Sequence, residues 1–395
     1  MKKYIRSERA NLFEPNVYIS MIVKLEGIVT KEDVRKAVER AYKANEATMS
    51  KIVLEDNGNA YYETMERSGC KFFSGEGDWR NLINESEKTP FAIHQGELVR
   101  VFATEENQQI VLLIHAHHLV GDGKSILILV GDIVKSLAGE ALTYKPMLLA
   151  DRNFLEKRAR FMPGIILAIK KVNQKWEKVG KNFSWDDYYL IHKKYWEEHS
   201  SRIDVQTFRV EEIKAQCKNN VTINSFLITG LLKKHPERKT VGIPVSIREE
   251  AAGMSNQTSG IAIKYQYNPQ RSFEKNSMKV HKKIYKKIKN EAMKYFVLLF
   301  MEQLSPSLID AVLLQTYACY QNKLAKKMAK VMGYIGKKER DLGVTNLNII
   351  DIPSKYNNFR IEDILFVPPK VSYAKCIFGI ATYGEKLTVA HHKMM

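Results

Sequence analysis

The residues most able to do chemistry in this chain are crowded into seven positions, His117-His118-Leu119-Val120-Gly121-Asp122-Gly123. A neutral imidazole has an unperturbed pKa of ~6.5, so near neutral pH it can take a proton from an alcohol or an amine. The nearby Asp122 carries a charge that needs a partner if it is buried. Gly121 and Gly123 flank it and let the backbone turn sharply and pass close to neighbouring chain. His115 extends the set to His115-x-His117-His118 with Asp122, which raises a metal reading. A zinc pattern of the form His-x-His-x-Asp-His would need Asp and His at 119 and 120, where Leu119 and Val120 stand, and no Cys or further His cluster completes a ligand set. No metal is expected. A lone histidine at a strand end would merely satisfy a polar group, and only the combination with Asp122, Gly123 and Arg248 argues for more.

Two elements must position these side chains. Residues 111–116 are an apolar run of strand length. Residues 124–138 repeat Ile126, Leu129, Val130, Ile133, Val134 and Leu137 at helical spacing, with Gly139 as the stop. The histidines therefore sit where a strand delivers the chain into a turn before a helix, a place that fixes depth and leaves the tip open to a ligand.

The seven residues resemble the HHxxxDG signature of the chloramphenicol acetyltransferase-like superfamily, which includes condensation domains of nonribosomal peptide synthetases and free-standing acyltransferases. All four fixed positions match. Residues 90–93 (Pro-Phe-Ala-Ile) and 96–100 are also similar to the segment that precedes the motif in condensation-type chains, although locally they read equally well as a loop anchored by Phe91. Residues 240–248, a strand ending in Arg248, resemble the superfamily's second-half strand. Residues 343–348 are similar to a Ser/Thr-Asn-Leu-Gly segment of free-standing members, with Asn348 in place of the glycine. The resemblance runs from about Val17 to His392.

The resemblance implies roles. His118 would be the general base, facing a tunnel between two subdomains. Asp122 would point away from substrate and pair with Arg248. His117 would be structural, and Thr345 and Asn346, with backbone amides near Gly123, are candidate oxyanion or channel residues. The donor would be an acyl thioester of coenzyme A or of a phosphopantetheinyl carrier protein acting in trans, and the acceptor a hydroxyl or an amine. No bound cofactor is implied.

Composition bounds the rest. At 395 residues the chain exceeds the roughly 250–300 at which one core stops growing, so two units are expected. Cys70, Cys217, Cys319 and Cys376 lack disulfide or metal spacing and read as reduced thiols of a cytoplasmic protein. Lys2, Lys3 and Arg6 are followed by no apolar stretch of secretory type, and no apolar run nears the ~18 residues needed to span a bilayer. The net charge of +18 favours polyanionic partners such as coenzyme A phosphates, acidic carriers or anionic lipid. No nucleic-acid-binding pattern supports that alternative.

Along the chain, residues 17–25 alternate as a strand, and Thr30 with Asp33 forms a capping-box pattern before Val34, Ala37, Val38 and Ala41. Asp56-Asn57-Gly58-Asn59 marks one hairpin and residues 105–108 another. From 144 to about 187 the pattern loosens, apart from a basic amphipathic stretch at 161–172, read as a helix at the junction or, alternatively, as a peripheral membrane contact. Beyond 189, strands at 205–210, 240–248 and 261–267 alternate with helices, including long basic ones at 273–301 and 307–332. Residues 295–301, apolar on all sides, are expected to be buried or to line an acyl-binding surface. A closing hairpin turns at Gly384-Glu385.

The expected architecture is α+β, an α/β sandwich of two chloramphenicol acetyltransferase-like subdomains, each a mixed sheet covered by helices. The division runs 1–150, a crossover at 151–188, and 189–395. The expected function is acyl transfer. The alternatives are a non-catalytic thioester-binding module on the same fold and a lipid-acceptor acyltransferase at a membrane surface.

Overall fold

The computed structural model describes residues 2–249, 253–317, 320–336, 340–371 and 374–395; Cys319 lies outside them. The alternating residues after 17 form the strand Tyr18–Gly27, which sits inside a five-stranded sheet. Its order is Phe359–Val367, Tyr18–Gly27, Gln109–His117, Val99–Glu106 and Lys71–Ser74. Neighbours are antiparallel except the last pair. Asn107 and Gln108 both take positive φ (50° and 63°), which makes the tight two-residue hairpin turn before Gln109–His117.

The apolar run at 110–116 is continuous because both faces of its sheet are covered. On one face Leu112 and Ile114 join Val34 and Val38 of the helix Lys31–Ala44 and Ile126, Leu129 and Ile133 of the helix Gly123–Leu137. On the other, Val111 and Leu113 meet Trp79 and Ile83 of the helix Trp79–Glu87, together with Ile203 and Ala390 of the second sheet. Thr30 and Asp33 cap Lys31–Ala44 reciprocally.

The second sheet has six strands in the order Thr258–Lys264, Thr240–Ser246, Arg340–Ile349, Ala374–Tyr383, Lys386–Met394 and Ser201–Arg209. Arg340–Ile349 runs parallel to both neighbours and the other pairs are antiparallel, so this sheet is mixed too. A small sheet, Lys3–Tyr4 with Ala60–Thr64 and Ser50–Leu54, completes an α+β architecture.

The two halves share a sheet: Phe359–Val367 from late in the chain pairs along Tyr18–Gly27 of the first sheet. The helix Trp185–Glu198 packs on the first half, with Tyr188 donating to the Phe91 carbonyl and the Trp196 indole to that of Pro15. The long helix at 273–301 is two helices, Phe273–Ile288 and Glu291–Gln303, because the Asn290 side chain accepts from the Met293 amide and starts a new helix. Residues 307–332 likewise contain Pro306–Leu314 and Lys323–Met332, the second capped by Asn322. Within 295–301 only Tyr295, Leu299 and Met301 are buried, while Phe296 is 40% exposed. Among the described residues no single helix is long and apolar enough to cross a membrane.

Candidate active site

The end of Gln109–His117 is pinned by its backbone. The His117 amide donates to the Leu98 carbonyl and the His118 amide to that of Val17. The His117 ring is fully buried between Tyr18 and Phe91, and its Nδ1 accepts from the Leu119 amide at 3.2 Å. Burial, followed by the neighbouring His118, His192 and Arg100, pushes this imidazole down to about 3, so it stays neutral. His115 is also fully buried, with Nδ1 2.8 Å from Ser20 Oγ. Among the described residues no group of three or more His, Cys, Asp or Glu side chains converges as a metal site would require.

Phe91 anchors the preceding loop. It stacks on Tyr18 at 5.2 Å between ring centroids and lies beneath the Arg100 guanidinium at 3.9 Å. Arg100 in turn pairs with Glu97 at 2.8 Å and donates to the carbonyls of Ser86, Thr89 and Pro90.

Asp122 caps the helix Gly123–Leu137 and saturates both carboxylate oxygens. Oδ1 accepts from the Ser125 amide (3.0 Å), Ser125 Oγ (3.1 Å) and Arg248 Nη2 (2.8 Å); Oδ2 accepts from the Gln257 amide (3.1 Å) and Thr258 Oγ1 (2.8 Å). Burial raises its pKa, but Arg248 and these hydrogen bonds outweigh it and hold the carboxyl below its usual value. Arg248 Nη1 also donates to the Gly253 carbonyl at 2.6 Å. Gly121 is required here: it has φ 145°, and a Cβ on it would meet Ser125 Cβ at 2.4 Å, whereas a Cβ on Gly123 would meet only the movable tip of Leu347, Cδ2 at 2.7 Å.

His118 is half-buried and lines a cavity of about 290 Å³. From the first half the wall receives Glu8, Asn11, His118 and Gly123; from the second, Ser246, Asn256, Thr345 and Asn346. Val297, Leu298, Met301 and Phe366 make an apolar side. Thr345 and Asn346 thus reach the same cavity as His118, on the strand Arg340–Ile349. Asn348 has φ 61°, the left-handed region that a glycine would also occupy, and its amide donates to Asn346 Oδ1 at 2.7 Å.

Asn256 connects the halves at this point. Its Oδ1 lies 2.8 Å from His118 Nδ1, and its Nδ2 donates to the His118 carbonyl (2.7 Å) and to Glu8 Oε2 (2.6 Å). Nδ1 of His118 is thereby engaged, while no hydrogen bond to Nε2 occurs among the described residues. Burial lowers the pKa of His118; Asp122, Asn256 and its own carbonyl oppose that, and the net direction is down. A ring of this kind is neutral at neutral pH and has a lone pair to offer. Glu8 and Asn11 carry no sequence signal. They lie 110 and 107 positions before His118 in the chain, and only the fold brings them to it.

No protein-family model matches this sequence, and no curated protein sequence does. The likeness is in three dimensions. The chain is similar to the first condensation domain of the CDA synthetase, with a TM-score of 0.66 and 11% identity over 100% of this chain and 90% of that one. It is similar to polyketide synthase associated protein 5 from Mycobacterium tuberculosis, with a TM-score of 0.62 and 12% identity over 100% and 92%. It is also similar to a mutant of the starter condensation domain of rhizomide synthetase RzmA in complex with C8-CoA, with a TM-score of 0.60 and 9% identity over 100% and 89%. The chain has the fold of the condensation domains.

Proposed function

We propose that this chain is an acyltransferase that moves an acyl group from a thioester, of coenzyme A or of a carrier protein in trans, to a hydroxyl or an amine, with His118 as the general base. The observation that carries the reading is the His118 ring itself: it lines a cavity built from both sheets, with Nδ1 2.8 Å from Asn256 Oδ1 and no hydrogen bond to Nε2 among the described residues. A thioester is already an activated electrophile, so what the reaction lacks is a better nucleophile. His118 Nε2 takes the acceptor's proton as its oxygen or nitrogen attacks the thioester carbon. The tetrahedral intermediate then expels the thiolate, which leaves with the proton returned from His118. Such a base is worth about 10²–10⁴-fold. Thr345, Asn346 and the amides at the start of Gly123–Leu137 are the groups at the cavity wall suited to donate to the oxyanion. The neighbour holding C8-CoA supports a coenzyme A thioester as donor, and the apolar wall at Val297, Leu298 and Met301 suits an acyl chain.

The test is release of free thiol from a panel of acyl-CoA and acyl-carrier thioesters, with amine and alcohol acceptors. Acceptor-dependent release supports the reading. Saturable thioester binding without cleavage under any acceptor would replace it with a binding module.

One observation favours a lipid-like acceptor. On the helix Pro163–Val179 and just before it, Met162, Ile166 and Leu167 are 71%, 49% and 53% exposed, with Lys170, Lys171 and Lys175 exposed beside them. Co-sedimentation with anionic vesicles that weakens at high salt supports this version, and no association at low salt rules it out.

A further inference from the structure

The short hydrogen bonds behind His118 have one consistent assignment; Asn11 Nδ2, at 3.5 Å from His118 Nδ1, is too far to compete with them. Asn256 Nδ2 faces two oxygens that accept, the His118 carbonyl at 2.7 Å and Glu8 Oε2 at 2.6 Å, so the amide cannot be turned over. Its Oδ1 is therefore the atom facing His118 Nδ1 at 2.8 Å, and Nδ1 must carry the ring's proton. The Tyr62 hydroxyl stands 2.7 Å from the Leu119 carbonyl and 2.9 Å from Glu8 Oε1. One hydroxyl proton cannot serve both. Both contacts hold together if Tyr62 donates to Leu119 and a protonated Glu8 donates to Tyr62. Glu8 is only 7% exposed, and the segment holding it is clamped by the Arg9–Asp310 ion pair, both side chains fully buried, with contacts of 2.8 and 2.6 Å.

Resting on the acyltransferase reading, we propose that Asn256 and Glu8 are positioning residues for the general base: Asn256 fixes the tautomer and ring plane of His118, and Glu8, in its protonated form, fixes Asn256. Loss of this pair lets the ring turn or exchange its proton between nitrogens, and the lone pair is then no longer held toward the cavity. Burial pushes the Glu8 carboxyl up to about 7, with Asn256 and Tyr62 pulling down and Asp122 pushing up, which agrees with a side chain that is protonated below neutral pH. The charged and titratable groups acting on this pair are His118, Tyr62 and Asp122 with Arg248, and Glu8 in turn acts on Glu302, a carboxyl likewise pushed up to about 7 by burial.

The experiment is ¹⁵N NMR of histidine-labelled full-length protein across pH, run beside kcat and KM for a thioester donor. In the unaltered protein His118 should show the Nδ1–H tautomer and sense an ionisation near pH 7. E8Q, whose amide can donate to Tyr62 and accept from Asn256, should keep the tautomer and remove that ionisation; E302Q should leave it in place. N256A should mix the tautomers and lower kcat by about tenfold or more, with donor KM little changed. N256D keeps an acceptor for Nδ1–H and should restore the tautomer while raising the pKa of His118. A pure Nδ1–H tautomer together with full kcat in N256A overturns the role of Asn256, and a pH 7 ionisation surviving in E8Q overturns that of Glu8. The tautomer is read without turnover, so a chain that consumes no thioester but whose His118 tautomer shifts in N256A keeps the positioning pair and loses the acyltransferase.

Discussion

Asp122 and His118 lie four residues apart and answer to different physics. Asp122 is nearly sealed from solvent and holds five hydrogen-bond donors, Arg248 among them. Asp122→Ala removes the carboxylate of a buried ion pair together with the acceptor for four other donors, a loss of about 3–5 kcal/mol. Thermal melting should show a large drop, and an unchanged midpoint would refute a structural role. The seven-residue motif was legible because its chemistry is compressed into neighbouring positions. Arg248 was legible only through the resemblance, since nothing in its spacing points to Asp122. Glu8 and Asn256 were not, because a buried carboxyl and an amide meeting across 248 positions leave no local pattern.

At the scale of elements, residues 343–348 depart from the similar family segment at Asn348, and the backbone explains why the departure is tolerated. The position is exposed with φ 61°, a conformation asparagine adopts more readily than other non-glycine residues. Asn348→Gly should leave the urea midpoint unchanged or raised, while Asn348→Ala should cost about 1 kcal/mol. Equal midpoints for the two would show that the turn does not select for positive φ. Strands and hairpins were readable where apolar alternation and Asn-Gly turns coincide, and the helix Lys31–Ala44 from its capping box. The helix Trp185–Glu198 has the same signature in Ser184 and Asp187, but the loosened pattern before it obscured it. The long basic stretches were misread as continuous because periodicity persists across Asn290 and Asn322, where side-chain caps restart the helix.

Across the whole molecule, the two sheets are stitched together by chain far apart in sequence: Phe359–Val367 in the first sheet and Arg9 paired with Asp310. This exchange is invisible to any division of the sequence into consecutive blocks. Burial also sets how the molecule answers to pH. It pushes His117 down to about 3 and His192 and His391 down to about 4, and it lowers His115 well below its usual value. Depressed histidines contribute stability above their unfolded value of ~6.5 that is lost as pH falls toward 4. Glu8 and Glu302, both raised to about 7, act the other way, contributing below ~4.3 and losing that contribution as pH rises through 7. Four histidines outweigh two carboxyls between pH 6.5 and 4.5, so the melting midpoint should fall steadily on acidification across that window. A flat or rising midpoint would contradict the burial of these rings.

The claim that matters most is that the His118 ring takes the acceptor's proton. Its most direct measurement is single-turnover acyl transfer by the unaltered chain and by His118→Ala at saturating thioester, with thioester affinity determined separately for each. The account predicts a rate lower by about 10²–10⁴-fold in the variant with affinity and melting midpoint retained. Equal rates in the two proteins would contradict it.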